Sequence, residues 1–147
     1  MAAAARRHPI VTSTGQETWV RIVATELEAL VSTYCQAWQE TDPARRRALL
    51  QQVWAEDATY TDPTVETNGI DELVAHIDAV QRTYPGARIE RTSFIDRHHQ
   101  VPRFNWCMVL ADGKRLPAGL DVGQLAGDGK LRRIIGFFGA PKAQAQS

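Results

Sequence analysis

Residues 101–138 read VPRFNWCMVL-ADGK-RLPAGLDVGQLA-GDGK-LRRIIGFF, three strand-like runs punctuated by two turns. In the first run Phe104, Trp106, Met108 and Leu110 fall on one face, and Arg103, Asn105, Cys107 and Val109 on the other. That two-residue period belongs to a strand. Ala111-Asp112-Gly113-Lys114 and Gly127-Asp128-Gly129-Lys130 carry hairpin-turn chemistry, so strands are predicted over 118–125 and 131–138. The stretch 87–97 is also rich in strand formers. Everything after Gly86 therefore reads as antiparallel sheet.

Upstream the period changes to that of helices. Trp19, Ile22, Val23, Leu27, Leu30, Val31, Tyr34 and Trp38 recur at steps of three and four, with Thr18 placed to cap them. Asp42-Pro43 stops this helix and opens a second, whose buried side is Leu49, Leu50, Val53 and Trp54. Arg45, Arg46 and Arg47 on it read as a solvated face. A short strand is predicted over 58–62, ended by Pro63. Asn68 is placed to cap a third helix, with Asp71 as its capping-box partner. Ile70, Leu73, Val74, Ile77 and Val80 form its apolar stripe, and Tyr84-Pro85-Gly86 ends it. Helices followed by a run of antiparallel strands predict an α+β domain, with three helices packed into the concave face of a curved sheet.

Composition narrows the function classes. The chain has 147 residues, 44% hydrophobic and 23% charged, which fits one folded domain and excludes wholesale disorder. Lys plus Arg number 17, matched by 17 Asp plus Glu, so no basic excess points to nucleic acid. No apolar run reaches the ~18 residues that would cross a bilayer. Cys35 and Cys107 lie in apolar segments without metal-type spacing, as expected for a reduced pair in a cytoplasmic protein. Residues 1–17 and 141–147 read as flexible tails around a single domain at 18–140.

Three polar groups sit where surface placement explains them poorly. Tyr34 lies on the apolar stripe of the first helix, Asp62 ends a strand before a proline, and Asp121 falls mid-strand in Gly119-Leu120-Asp121-Val122-Gly123. Each has a plain structural reading: a core tyrosine bonded to backbone, a turn-initiating Asp-Pro, and a carboxylate facing water with Leu120 and Val122 in the core. Parity leaves the two faces of Asp121 open. If it faces the helices, desolvation raises its pKa and keeps it protonated as a hydrogen-bond donor. His98 and His99 are adjacent on a strand end; Asp96 nearby invites a metal site, but neighbouring strand side chains are expected to diverge and no third-ligand spacing is evident.

The order of helices, then Ala58-Thr59-Tyr60-Thr61-Asp62-Pro63, then Asn68-Gly69-Ile70, resembles the cone-shaped fold named after nuclear transport factor. Steroid Δ-isomerases and SnoaL-type polyketide cyclases share it. The closing segment from Leu120-Asp121-Val122 through Asp128-Gly129-Lys130-Leu131 to Phe137-Phe138 is similar to its final hairpin. The resemblance covers about Trp19 to Gly139. In site residues it is closest to ketosteroid isomerase, a standard example of pKa tuning. Tyr34 matches the catalytic tyrosine, Asp62 the general base and Asp121 the oxyanion-hole acid.

That resemblance implies proton abstraction next to a carbonyl, with Asp62 as base and Tyr34 and protonated Asp121 donating to the enolate oxygen. It implies no metal and no organic cofactor. Trp38 belongs to the implied pocket, and Phe104, Trp106, Ile134 and Phe138 form its wall. Trp54 and Ile77 stand where further tyrosines would support the phenol. His76 replaces an aromatic wall residue and Gly119 a larger side chain, which implies a wider, more polar pocket than a steroid slot. The expected ligand is a hydrophobic small molecule, and Leu120 and Val122, if exposed on the convex face of the monomer, imply a homodimer through the sheet. A non-catalytic small-molecule-binding protein is the alternative. An epoxide hydrolase is a further one, although Arg103 has the wrong parity for the pocket.

Overall fold

The computed structural model describes residues 25–145. The predicted Thr18 cap, the first turns of the opening helix, the N-terminal tail and the last two residues lie outside them. Helix α1 covers 25–39, α2 Pro43–Val53 and α3 Gly69–Thr83. The strands are β1 Trp54–Asp62, β2 Val65–Asn68, β3 Arg88–Arg91, β4 Asp96–His98, β5 Val101–Val109, β6 Gly119–Leu125 and β7 Leu131–Phe138. They form one curved sheet in the order β2-β1-β7-β6-β5-β3, with β4 also paired to β5. Among the described residues only the β1–β7 pairing is parallel. The α+β cone with three helices in its concave face is as expected.

The core joins the helix stripes to the inner sheet face: Val31, Leu50, Leu73, Ile77, Leu131 and Ile134 are fully buried. The hairpins fall where the turn chemistry places them, with Gly113 and Gly129 in the left-handed region that their turns require. Asp42 caps α2 by accepting from the Ala44 N–H, and Pro43 opens the helix.

Four expectations are corrected. Trp54 is not on α2: the chain turns extended there and β1 starts four residues earlier than predicted, with a register shift against β7 between Trp54 and Thr59. Periodicity misses that irregular strand start. The Asn68 side chain makes no cap bond. Instead the Asn68 N–H donates to Glu72 Oε1 at 3.1 Å, because Gly69, at φ 82°, turns the chain and moves the reach on by one residue. The arginine run is not uniformly solvated. Arg46 is completely buried, donating to the Glu40 carbonyl at the end of α1 and to the Val74 carbonyl, with Asp78 at 3.8 Å. Finally, 87–97 splits into β3 and β4, because the Ser93 hydroxyl intercepts the Asn105 N–H that a continuous ladder would use.

Candidate active site

The sheet register settles the face of Asp121. Phe104, Asp121 and Gly136 are cross-strand partners, as are Trp106, Gly119 and Phe138. In β6 the residues Gly119, Asp121, Gly123 and Leu125 are buried, whereas Leu120 and Val122 are only half-buried on the outer face, where Phe137 is exposed. The carboxyl therefore points to the helices.

There it meets the other two groups. Tyr34 from α1, Asp62 from the end of β1 and Asp121 from β6 all line one cavity of about 390 Å³. Of the predicted wall, Trp38, His76, Trp106 and Phe138 line it as well. The other four do not. Trp54 stacks behind the Tyr34 ring, with centroids 5.8 Å apart and planes 12° from parallel. Phe104 and Ile134 are sealed in the core beneath. Gly119 does not widen the pocket, because the Trp106 indole fills the space: a Cβ there would lie 2.3 Å from Trp106 Cζ2.

The sequence reading missed Tyr60 and Thr64 at the polar end of the cavity, and Val80, Tyr84, Ile89, Met108, Leu116 and Pro117 around its apolar remainder. Tyr60 was reachable, since two residues before Asp62 on a strand means the same face. Gly136 was missed too. A Cβ on it would lie 3.0 Å from Asp121 Oδ1, so its bare backbone gives the Asp121 carboxyl room beside Asp62.

The two acids are treated in opposite ways. Asp62 Oδ1 accepts from the Thr64 N–H and hydroxyl, both at 2.7 Å, and from the Val65 N–H at 3.1 Å; Oδ2 accepts from the Tyr60 hydroxyl at 2.7 Å. Burial alone would raise this carboxyl, but the facing His76 ring, Thr64 and Tyr60 outweigh it and hold the group well below the usual carboxylate range. Asp121 has the Trp106 indole N–H on Oδ1 at 2.8 Å. Burial, with the negative charge of Asp62 adding to it, outweighs that bond and lifts Asp121 to about 7.

Tyr34 is lifted as well, by burial first and then by the field of Asp121, so it remains a phenol. Its hydroxyl is buried without a hydrogen-bond partner among the described residues. Cys35 and Cys107 are free and buried, and burial pushes the Cys35 thiol up to about 12, far from a reactive thiolate.

Outside the cavity, Arg103 is exposed and paired with Asp96 at 2.9 Å, so the arginine that the epoxide-hydrolase alternative needs is not at the site. His98 and His99 do not diverge. His99 is left-handed at φ 52°, which folds its ring back until the two Nδ1 atoms are 3.3 Å apart. Among the described residues no three His, Cys, Asp or Glu side chains group as metal ligands, and no helix is long and apolar enough to cross a membrane.

No protein-family model matches the sequence, and no curated protein does. Solved structures do. A candidate isomerase of the SnoaL-like family from Agrobacterium tumefaciens is 34% identical, covers 79% of this chain and 99% of its own, and superposes with a TM-score of 0.74. A candidate polyketide cyclase from Sinorhizobium meliloti (14% identity, 77% and 97% coverage, TM-score 0.61) shares the fold. So does a candidate SnoaL-like polyketide cyclase from Jannaschia sp. (13% identity, 74% and 83% coverage, TM-score 0.56).

Proposed function

Because this chain belongs to the SnoaL-like family, we propose that it is a cofactor-independent isomerase or cyclase. It draws a proton from the carbon beside a carbonyl of an uncharged, hydrophobic small molecule. The observation that carries this reading is the meeting of Tyr34, Asp62 and Asp121, from three distant parts of the chain, on one ring-lined cavity.

Two of these groups suit the developing enolate oxygen. The Tyr34 hydroxyl has no hydrogen-bond partner among the described residues and can donate to a ligand oxygen, and leaving such a group unpaired costs about 1–3 kcal/mol. Asp121 in its acid form is a second donor, as in other sites where burial keeps a carboxyl protonated. Each donor is worth about 3 kcal/mol to a transition state in which charge moves onto oxygen. The proton acceptor lies where Asp62 and His76 face each other. Every proton moves between side chain and substrate, so the route calls for no metal or organic cofactor. Among the described residues no Lys or Arg lines the cavity to neutralise an anionic ligand, which favours an uncharged one.

One observation favours a second reading, a binding protein without turnover: the heavy hydrogen bonding of Asp62, which weakens it as a base. Incubation with 2-tetralone in D2O separates the two. Deuterium entering the carbon next to the carbonyl supports the enzyme. Thermal stabilisation by the ketone with no exchange supports the binding protein and ends the catalytic reading.

A further inference from the structure

The base in this cavity is not settled by the resemblance to ketosteroid isomerase, because the carboxylate it nominates is occupied. Asp62 accepts four hydrogen bonds, three on Oδ1 and one on Oδ2. Donors on both oxygens stabilise the anion and remove its tendency to take a proton. A side chain held this way anchors something else.

What it faces is His76. Nε2 of this α3 residue lies 3.6 Å from Asp62 Oδ2, within reach of a hydrogen bond after a small adjustment. Nε2 is buried and has no hydrogen-bond partner among the described residues. The imidazole is wedged between two rings, edge-on to Trp38 at 5.8 Å and tilted against Tyr60 at 5.7 Å, which fixes its orientation. It also lines the cavity.

We propose that His76 is the proton acceptor of the cavity and that Asp62 is a positioning residue acting through it. This rests on the enolising reading above. With its proton on Nε2 and turned toward Asp62, the neutral ring leaves the Nδ1 lone pair free, and the carboxylate behind selects that tautomer. In the step itself the Cα–H bond breaks and its proton forms an N–H bond at Nδ1. The released electron pair becomes the Cα–carbonyl double bond, and the carbonyl π pair moves onto oxygen, where Tyr34 and Asp121 donate. Asp62 stays ionised and stabilises the imidazolium. Return of the Nδ1 proton to carbon closes the cycle with every charge restored.

The test is deuterium entry into 2-tetralone by the full chain and its variants. His76→Ala is expected to lose about 10²-fold or more in exchange rate and to regain part of it when free imidazole is added. Asp62→Asn is expected to lose a comparable factor when His76 is present, and almost nothing further in the His76→Ala background. His76→Gln, close in size and polar, should lose exchange while melting as the parent does, which covers a His76→Ala chain that fails to fold.

Exchange that survives in both His76 variants overturns the assignment and leaves the enolising reading standing. So does a full Asp62→Asn loss in the His76→Ala background, which would make Asp62 itself the base. Absence of exchange in the unmodified chain removes the enolising reading and this inference together.

Discussion

The indole of Trp106 packs over Gly119 of β6 and its Nε1–H donates to Asp121 Oδ1 at 2.8 Å. The neighbour that permits this is Gly119, the cross-strand partner of Trp106, which offers no Cβ to lift the ring. One glycine thus lets an aromatic roof close over an acid. That roof contributes to the burial that lifts the Asp121 pKa, while its N–H fixes which oxygen is bonded and leaves Oδ2 as the natural seat of a proton.

Gly119→Ala forces the ring aside, since a methyl at 2.3 Å from Cζ2 cannot be accommodated. Overpacking of this kind costs about 1–3 kcal/mol. The variant should melt below the parent, and the Trp106 indole N–H resonance should move to the position of an unbonded indole. An unchanged resonance would show that the ring does not depend on Gly119.

The raised pKa of Asp121 makes stability depend on pH in a defined direction. The folded chain keeps the proton up to about 7, whereas the unfolded chain releases it near the ordinary carboxyl value of 3.8. The native state therefore binds more protons between those values, and stability falls as pH rises through that window, then levels off. Asp121→Asn removes the effect. It should melt above the parent at pH 8, by a difference on the order of 4 kcal/mol at most, and the gap should close towards pH 4. A gap that widens on acidification contradicts the assignment.

The sequence carried the sheet more clearly than the site, for identifiable reasons. Clean alternation in β5 and two glycine-bearing turns place three strands almost to the residue. The same alternation cannot say which face of β6 is buried, because a period of two has two equivalent faces. The inner face of that site depends on small residues, Gly119 beneath a ring and Gly136 beside two carboxyls, whose partners lie on other strands. Arg46 was more legible than its charge suggests: it shares an i, i+4, i+7 stripe with Leu50 and Val53, the other buried residues of α2. Leu116 and Pro117 come from a connection without periodicity, so no local pattern marks them as wall.

Tyr34→Phe separates stability from function. Removing a buried hydroxyl that has no partner among the described residues should leave the melting temperature unchanged or raise it. The same change should lower the rate of deuterium exchange into 2-tetralone by about 10²–10³-fold, the effect of losing one oxyanion donor. A variant that melts lower while exchanging normally would make Tyr34 a core residue only.

Arg46→Leu tests the buried cation. It strips the Glu40 and Val74 carbonyls of their donor and leaves Asp78 without its buried partner. A loss of roughly 3 kcal/mol is expected in chemical denaturation, with ligand binding retained in the folded chain. A neutral result would show that water serves those carbonyls equally well.

The proposed reaction requires a carbonyl or enol oxygen seated between Tyr34 and Asp121. A crystal structure of the protein with 2-naphthol, the stable aromatic counterpart of the enol of 2-tetralone, tests it most directly. The naphthol oxygen is expected within hydrogen-bond distance of both the Tyr34 hydroxyl and the Asp121 carboxyl, with the rings against Trp38 and Phe138. A naphthol whose oxygen turns away from both, toward Tyr84 and Leu116, would contradict it.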